Sequence, residues 1–286
     1  MLSYFKFKVI SNLLDIIRKL GFSKIQLFRD LSTSFLDKRT FYLLAETFYG
    51  KKLFVNPLDP VGNSLIRTGL WERETTLFFM KFIKPGMCVV DIGAHIGYYT
   101  ILFSSLVGKE GKVYAFEPEI KNYSILLYNL RINNAVNLIP ENLAIYDRET
   151  YGFIYKNFLG SSHSILARYS KIRQYVKMIS LDAYFKRKHG YIPKIDLIKI
   201  DIEGAEFFAI QGMLNIIKNN PSITLCIEFN TRLLINKLEL INLLINNNLY
   251  PYIYDIHDGF IQINPEELFS KDFNMNPIFK KMDFYK

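Results

Sequence analysis

Val89-Val90-Asp91-Ile92-Gly93-Ala94-His95-Ile96-Gly97 is the stretch whose reading decides the fold. β-branched residues run into an acid and then into two glycines, the pattern of a buried strand that ends in Asp91 and turns into a helix. Val113-Tyr114-Ala115-Phe116-Glu117-Pro118 reads as the next strand. It ends in an acid about 20 residues beyond the glycines, the spacing of a βαβ unit that grips a ribose.

Each residue type in that turn has a physical task. Gly93 and Gly97 remove side chains where the backbone bends and a ligand comes close. A helix beginning near Gly97 offers free N–H groups and the positive end of its dipole to a carboxylate. Glu117, at a strand end, can accept two hydrogen bonds from a ribose diol. The order is D-x-G-x-x-x-G rather than G-x-G-x-x-G, which speaks against a pyrophosphate. An acid such as Asp91 suits a ligand that carries an ammonium and a sulfonium. S-adenosylmethionine is such a ligand. The competing account is a strand–turn–helix corner with glycines for packing only, and Glu117 in register weakens it.

At 286 residues, half of them hydrophobic and 24 of them Phe, the chain can bury a large core. The net charge of +9 is spread along the chain, with no block of Lys or Arg, and reads as a solvated surface. Cys88 and Cys226 fall in apolar runs as reduced thiols, without zinc or redox spacing. No apolar run reaches the roughly 18–20 residues of a membrane span. Met1–Phe22 lacks a cleavage site and reads as an amphipathic helix, packed on the main domain or in peripheral contact with a membrane. A cytoplasmic location is the expectation.

Alternating strands and helices predict an α/β fold, Rossmann-like, with a mostly parallel central sheet and helices on both faces. An N-terminal helical extension over 1–70, including Phe41–Tyr49, precedes a domain over 71–286 with an insert at about 147–195. Strands are expected at Cys88–Asp91, Val113–Glu117, Asn137–Glu141, Leu197–Asp201, Ile223–Phe229 and Tyr250–Asp255. Asn56–Asn63 reads as turns, Ala205–Ile217 as one helix and the tail after Leu268 as aperiodic.

A second constellation is Lys199-Ile200-Asp201-Ile202-Glu203-Gly204-Ala205-Glu206. Ionisable groups that finish a core strand are costly unless used, and Glu228 ends the next strand at the same edge. Such acids can take a proton from a hydroxyl or hold a divalent cation such as Mg2+. Asp201 is the first candidate base, Glu228 the second, and Lys199 a group that neutralises Asp201 or an alkoxide. Glu206 reads as a first-turn acid that favours the helix dipole.

Together these motifs resemble the FkbM-type methyltransferases, class I enzymes that depend on S-adenosylmethionine. The likeness rests on Trp71-Glu72, Lys84-Pro85-Gly86, Val90–Thr100, Gly111–Pro118, Asn129, Asn133-Asn134, Leu143-Ala144, Ser161-Ser162, Leu181-Asp182 and Asp196–Glu206, within roughly residues 50–230. It implies methyl transfer to a hydroxyl of a sugar, glycan or other small natural product. It implies Asp91, Gly93 and Gly97 at the methionine end of the cofactor, Ala94 and His95 in its shell, Glu117 and Pro118 at the ribose, and Ala144 near adenine. His95 departs from the Asn more usual there. The alternatives are a nucleic-acid methyltransferase, suggested by the charge but lacking any RNA-binding motif, and a non-catalytic cofactor-binding scaffold.

Overall fold

A computed structural model describes residues 41–156, 163–164, 173–229, 236–269 and 276–281. The expectations for Met1–Phe22 and for the Ser161-Ser162 loop lie outside them. The chain divides into two compact units, Met1–Trp71 and Glu72–Lys286.

In the first unit the helix expected over Phe41–Tyr49 is instead a strand, β1 (Leu43–Glu46), antiparallel to β2 (Lys52–Val55). Leu, Ala and Glu are good helix formers, but Leu43, Ala45 and Thr47 are buried at a period of two, and pairing decides. The turns read over Asn56–Asn63 give way at Pro60 to helix α1 (Pro60–Thr68). Asp59 caps it by accepting from the N–H groups of Val61 and Gly62.

The second unit begins with α2 (Arg73–Phe82), β3 (Cys88–Ile92), α3 (Tyr98–Val107), β4 (Lys112–Phe116), α4 (Ile120–Ile132) and β5 (Leu138–Glu141). After β6 (Ala144–Ile145) the insert supplies β7 (Thr150–Lys156), β8 (His163–Ser164), β9 (Arg173–Ile179) and α5 (Leu181–His189). Then come β10 (Leu197–Ile200), α6 (Glu206–Gln211), α7 (Leu214–Asn219), β11 (Thr224–Ile227), α8 (Lys237–Asn246), β12 (Leu249–Asp255), β13 (Gly259–Gln262), a 3-10 turn and β14 (Ile278–Lys281).

The large sheet has the order β13-β12-β14-β11-β10-β3-β4-β5, parallel from β11 through β5. Strand order therefore reverses between β3 and β10, and such switch points open a ligand crevice at the carboxyl ends. One sheet face (Val90, Ile92, Tyr114, Phe116, Ile198, Ile200, Leu225, Ile227) packs into a core with residues of α5 to α8. On the other face α3 meets the sheet, Thr100 donating to Asp91. Helices thus cover both faces.

Two further expectations are corrected. Ala205–Ile217 is two short helices, broken at Gly212, where an added Cβ would lie 2.0 Å from the Tyr146 carbonyl. The aperiodic tail contains β14, inserted antiparallel between β11 and β12.

At the switch point the two central strands leave no spare room. A Cβ on Gly93 would meet the Asp201 carbonyl oxygen at 1.8 Å, and Gly93 sits at φ 83°. Gly86 has the same backbone region, φ 84°, with nothing within 4 Å. Gly86→Ala should therefore cost only the left-handed strain, roughly 1–2 kcal/mol. Gly93→Ala should add overpacking of ~1–3 kcal/mol. Urea unfolding of both variants checks this, and equal losses would refute the close approach.

Candidate functional site

The site is stitched together by backbone bonds that continue the sheet one residue beyond each strand. Glu228 N–H donates to the Ile200 carbonyl (2.8 Å) and Asp201 N–H to Ile92 (3.0 Å). Gly93 and Ala94 N–H both donate to Phe116 (3.0 Å each), and Glu117 N–H to Glu141 (3.1 Å). Four strand ends thus present the residues that follow them to one crevice.

The first cluster surrounds Lys199. Parallel register places Lys199 opposite Asp91 on one side and Cys226 on the other. Its side chain is 4% exposed, and the ammonium lies 2.9 Å from Asp201 Oδ2 and 3.9 Å from Asp91 Oδ1. Tyr99 places its ring beneath that ammonium at 5.1 Å. Burial opposes the charge, but Asp201 and Asp91 outweigh it and hold the ammonium above the ordinary lysine range. Asp91 is buried, with Oδ2 bound to the Thr100 hydroxyl at 2.5 Å and Oδ1 without a hydrogen-bond partner among the described residues. Burial raises its pKa against the pull of Lys199 and Thr100.

Asp201 remains 29% exposed and hydrogen-bonds Glu228. Burial works against its charge, yet Lys199 and Glu228 hold it below the ordinary carboxylate range. Glu228 is pushed well up by burial and by the charges of Asp201, Glu203 and Glu206. The pair therefore holds its proton on Glu228 and its charge on Asp201. β10 ends at Ile200, so strand alternation does not carry Glu203 to this edge. A turn does, with Glu203 at φ 56°. Carboxylate oxygens of Asp201, Glu203 and Glu228 all lie within 4.8 Å of one another. Glu206 staples that turn by accepting from Ile202 and Gly204 N–H at 3.2 Å each, a structural role.

The second cluster forms around Glu117, which is buried. Its Oε2 accepts from His95 N–H and its Oε1 from Glu119 N–H, both at 2.8 Å. Burial outweighs these bonds and pushes its pKa up to about 8. His95 reaches this position at φ 51°, and Gly97 at φ 95° caps α3. Asn129 holds the Ile96 carbonyl at 2.8 Å. The Pro118 carbonyl accepts from Asn142 (3.0 Å) and Gln174 (2.9 Å). Ala144 is buried in a different, four-stranded sheet, opposite Met178, and joins neither cluster.

Site reasoning from the sequence missed Glu72. Its carboxylate accepts from the Tyr99 hydroxyl (2.8 Å) and from Asn276 (3.1 Å). Burial and the charge of Asp201 raise its pKa while Lys199 lowers it. A non-glycine φ of 41° marks the position as constrained. Asn142, Gln174 and Asn276 were missed too, since isolated amides give no local signal.

An α/β sheet whose strand order reverses at a switch point lined by strand-end acids defines a protein of the Rossmann-like class. More specifically, the family model described as the Methyltransferase FkbM domain matches residues 91–255, and the chain belongs to that methyltransferase family. No curated protein matches the chain. Methyltransferase FkbM from Methylobacillus flagellatus KT is similar in structure, with 16% identity over 68% of this chain and 43% of that one, at a TM-score of 0.44. The chain thus spans less than half of that neighbour. A SAM dependent methyltransferase from Aquifex aeolicus shares 16% identity over 64% of this chain and 81% of its own, at 0.38. An rRNA methylase from Streptococcus thermophilus shares 12% over 73% and 94%, at 0.42. No helix among the described residues is long and apolar enough to cross a membrane.

Raised carboxyl groups fix the sign of the pH response. The folded state holds the Glu117 proton up to about pH 8, against an ordinary value of 4.5. Its contribution to stability is therefore complete below pH 4.5 and is lost as pH climbs through 8. Glu206, raised to about 7, acts in the same direction. Ligand-free protein should unfold at lower denaturant at pH 8.5 than at pH 5.5. A flat or rising profile would contradict the buried, proton-holding Glu117.

Proposed function

We propose that the protein is an S-adenosylmethionine-dependent O-methyltransferase whose acceptor is a hydroxyl on a sugar, glycan or other small natural product. The observation that carries this reading is the Asp201–Glu228 pair held beside Lys199 at the switch point. The cofactor supplies a methyl group on a sulfonium sulfur. Gly93, Ala94, His95 and Gly97 form the turn that would receive its methionine end. Glu117, with Pro118 beside it, would take the ribose hydroxyls on the lone pairs that its two backbone bonds leave free. Asp91 backs this turn from beneath, and Ala144 remains the adenine-side candidate.

Asp201 is the proton acceptor in this scheme. A carboxylate held low is a weak base, but an oxygen that has gained a methyl sheds its proton readily, so orientation matters more than basicity. Glu228, carrying the shared proton, steadies the Asp201 charge, and Lys199 prevents the pair from becoming neutral. In-line placement of the two reactants can supply ~7–11 kcal/mol of the acceleration. Once Glu228 gives up its proton, the three carboxylates of Asp201, Glu203 and Glu228 would be hard oxygen donors suited to a divalent cation such as Mg2+, which would lower the hydroxyl pKa.

Charge distribution speaks against a nucleic-acid acceptor. The chain carries +9 in total, but at this edge Lys199 is outnumbered by Glu72, Asp91 and Asp201, with Glu203 close to the Asp201–Glu228 pair. Phosphodiesters meet repulsion there.

Transfer of a tritiated methyl group from the cofactor onto fractionated glycans, lipids and RNA, with and without chelator, tests the reading. Label should enter glycans or small hydroxylated acceptors, and Asp201→Asn should cut the rate by about 10²–10⁴-fold. Label confined to RNA would overturn the acceptor assignment. Glu117→Ala should weaken cofactor binding by roughly 1–3 kcal/mol in calorimetry, and unchanged affinity would remove Glu117 from the ribose.

A further inference from the structure

Gln174 sits near the start of β9, opposite Ile154 of β7. Alternation puts it on the same side of β9 as Val176 and Met178, which are buried in a cluster with Ile154 and Ala144. A half-buried amide at the end of so apolar a face is costly unless both its ends are bonded. Both are. Its Nε2 donates to the Pro118 carbonyl at 2.9 Å, and its Oε1 accepts from Ile120 N–H at 3.2 Å. The two bonds cross 56 and 54 residues of sequence, from the insert to the loop that follows β4.

That loop carries Glu117. Asn142 holds it from a second side, donating to the Glu117 carbonyl at 2.8 Å and to the Pro118 carbonyl at 3.0 Å. Both lone pairs of the Pro118 oxygen are thereby used. Inside the loop, Glu117 Oε1 accepts from Glu119 N–H at 2.8 Å, and Glu119 Oε2 caps α4 by accepting from Asn122 N–H at 2.7 Å. The first N–H of α4, that of Ile120, can find no acceptor within the helix, and Gln174 supplies one. Two amides from outside the loop therefore hold its backbone, and the carboxylate moves with it. Asn142 lies in the connection between β5 and β6, whereas Gln174 is mounted on a strand paired with β7 from Thr150 to Tyr155. A strand fixes a side chain more closely than a loop does.

We infer that Gln174 is a positioning residue for the cofactor, setting the Glu117 carboxylate against the ribose hydroxyls by gripping the Pro118 loop from the insert. The inference rests on the reading of Glu117 as the ribose acceptor. Two hydrogen bonds to a diol require the carboxylate within about 0.5 Å of its working position. The large sheet alone does not provide that. β4 ends at Phe116, and its ladder reaches one bond further, from Glu117 N–H to the Glu141 carbonyl. Pro118 has no N–H with which to continue it. Gln174 and Asn142 take over where the ladder stops. The insert thus shares in the cofactor half of the site, although it lies outside the strand–turn–helix–strand unit that carries the glycine turn and Glu117.

The test measures, by calorimetry on the full chain, the affinity for S-adenosylhomocysteine and for its dideoxy analogue, which lacks both ribose hydroxyls. Wild-type protein should bind the diol form roughly tenfold tighter or more, the size of two hydrogen bonds. Gln174→Met is close to Gln in length but bonds neither backbone group. It should weaken the diol form roughly threefold to tenfold and leave the dideoxy form nearly unchanged, so that the preference shrinks. Gln174→Glu keeps an acceptor for Ile120 N–H and loses the donor to Pro118. It should show the same reduced preference, and it decides the matter where the Met variant fails to fold. A wild-type preference that persists undiminished in the variants would overturn the inference alone. So would equal weakening of both ligands, the mark of a general loosening of the fold. Wild-type protein that binds both ligands alike, or neither, would sink the ribose reading of Glu117 and this inference with it.

Discussion

The whole site depends on the backbone contact between two loops at the centre of the sheet, Gly93 against the carbonyl of Asp201. Only a residue without Cβ lets the turn after β3 and the turn after β10 approach this closely. That approach continues the ladder past the strand ends, so that Asp201 bonds Ile92 and Glu228 bonds Ile200. Register follows from it. A slip of one residue would send Asp91, Lys199 and Cys226 into the apolar layer and Val90 and Ile198 into the crevice.

Given that register, electrostatics follow. Among the described residues Lys199 is the one lysine buried against three nearby acids, and its ammonium makes the charge on Asp201 tolerable. Buried ion pairs are weak contributors to stability because desolvation offsets their attraction. The cluster is better understood as a device that fixes protonation. It leaves one oxygen of Asp91 without a partner and stores a proton on Glu228, both costly arrangements in a resting protein.

Legibility in the sequence followed the range of the forces involved. The β3 turn, the acid ending β4 and the acids after β10 were readable because glycine conformation, strand alternation and strand-end burial are local constraints. Asp201, Glu228 and Lys199 emerged together for that reason. Elements that depend on pairing were not readable. Leu43–Glu46 favours helix in isolation and becomes a strand through β2. Gly212 breaks a helix because the Tyr146 carbonyl passes beside it, which no local pattern records. Glu203 reaches the acid pair through a left-handed turn rather than by strand alternation.

The tail illustrates the same point with a consequence for the site. β14 has no periodic signature, yet it fills the gap between β11 and β12 and brings Asn276 to Glu72 across 204 residues of sequence. Glu72 in turn accepts from Tyr99, whose ring carries the Lys199 ammonium. The contacts that lead from Lys199 through Tyr99 to Glu72 therefore end on Asn276, just before the last strand of the sheet.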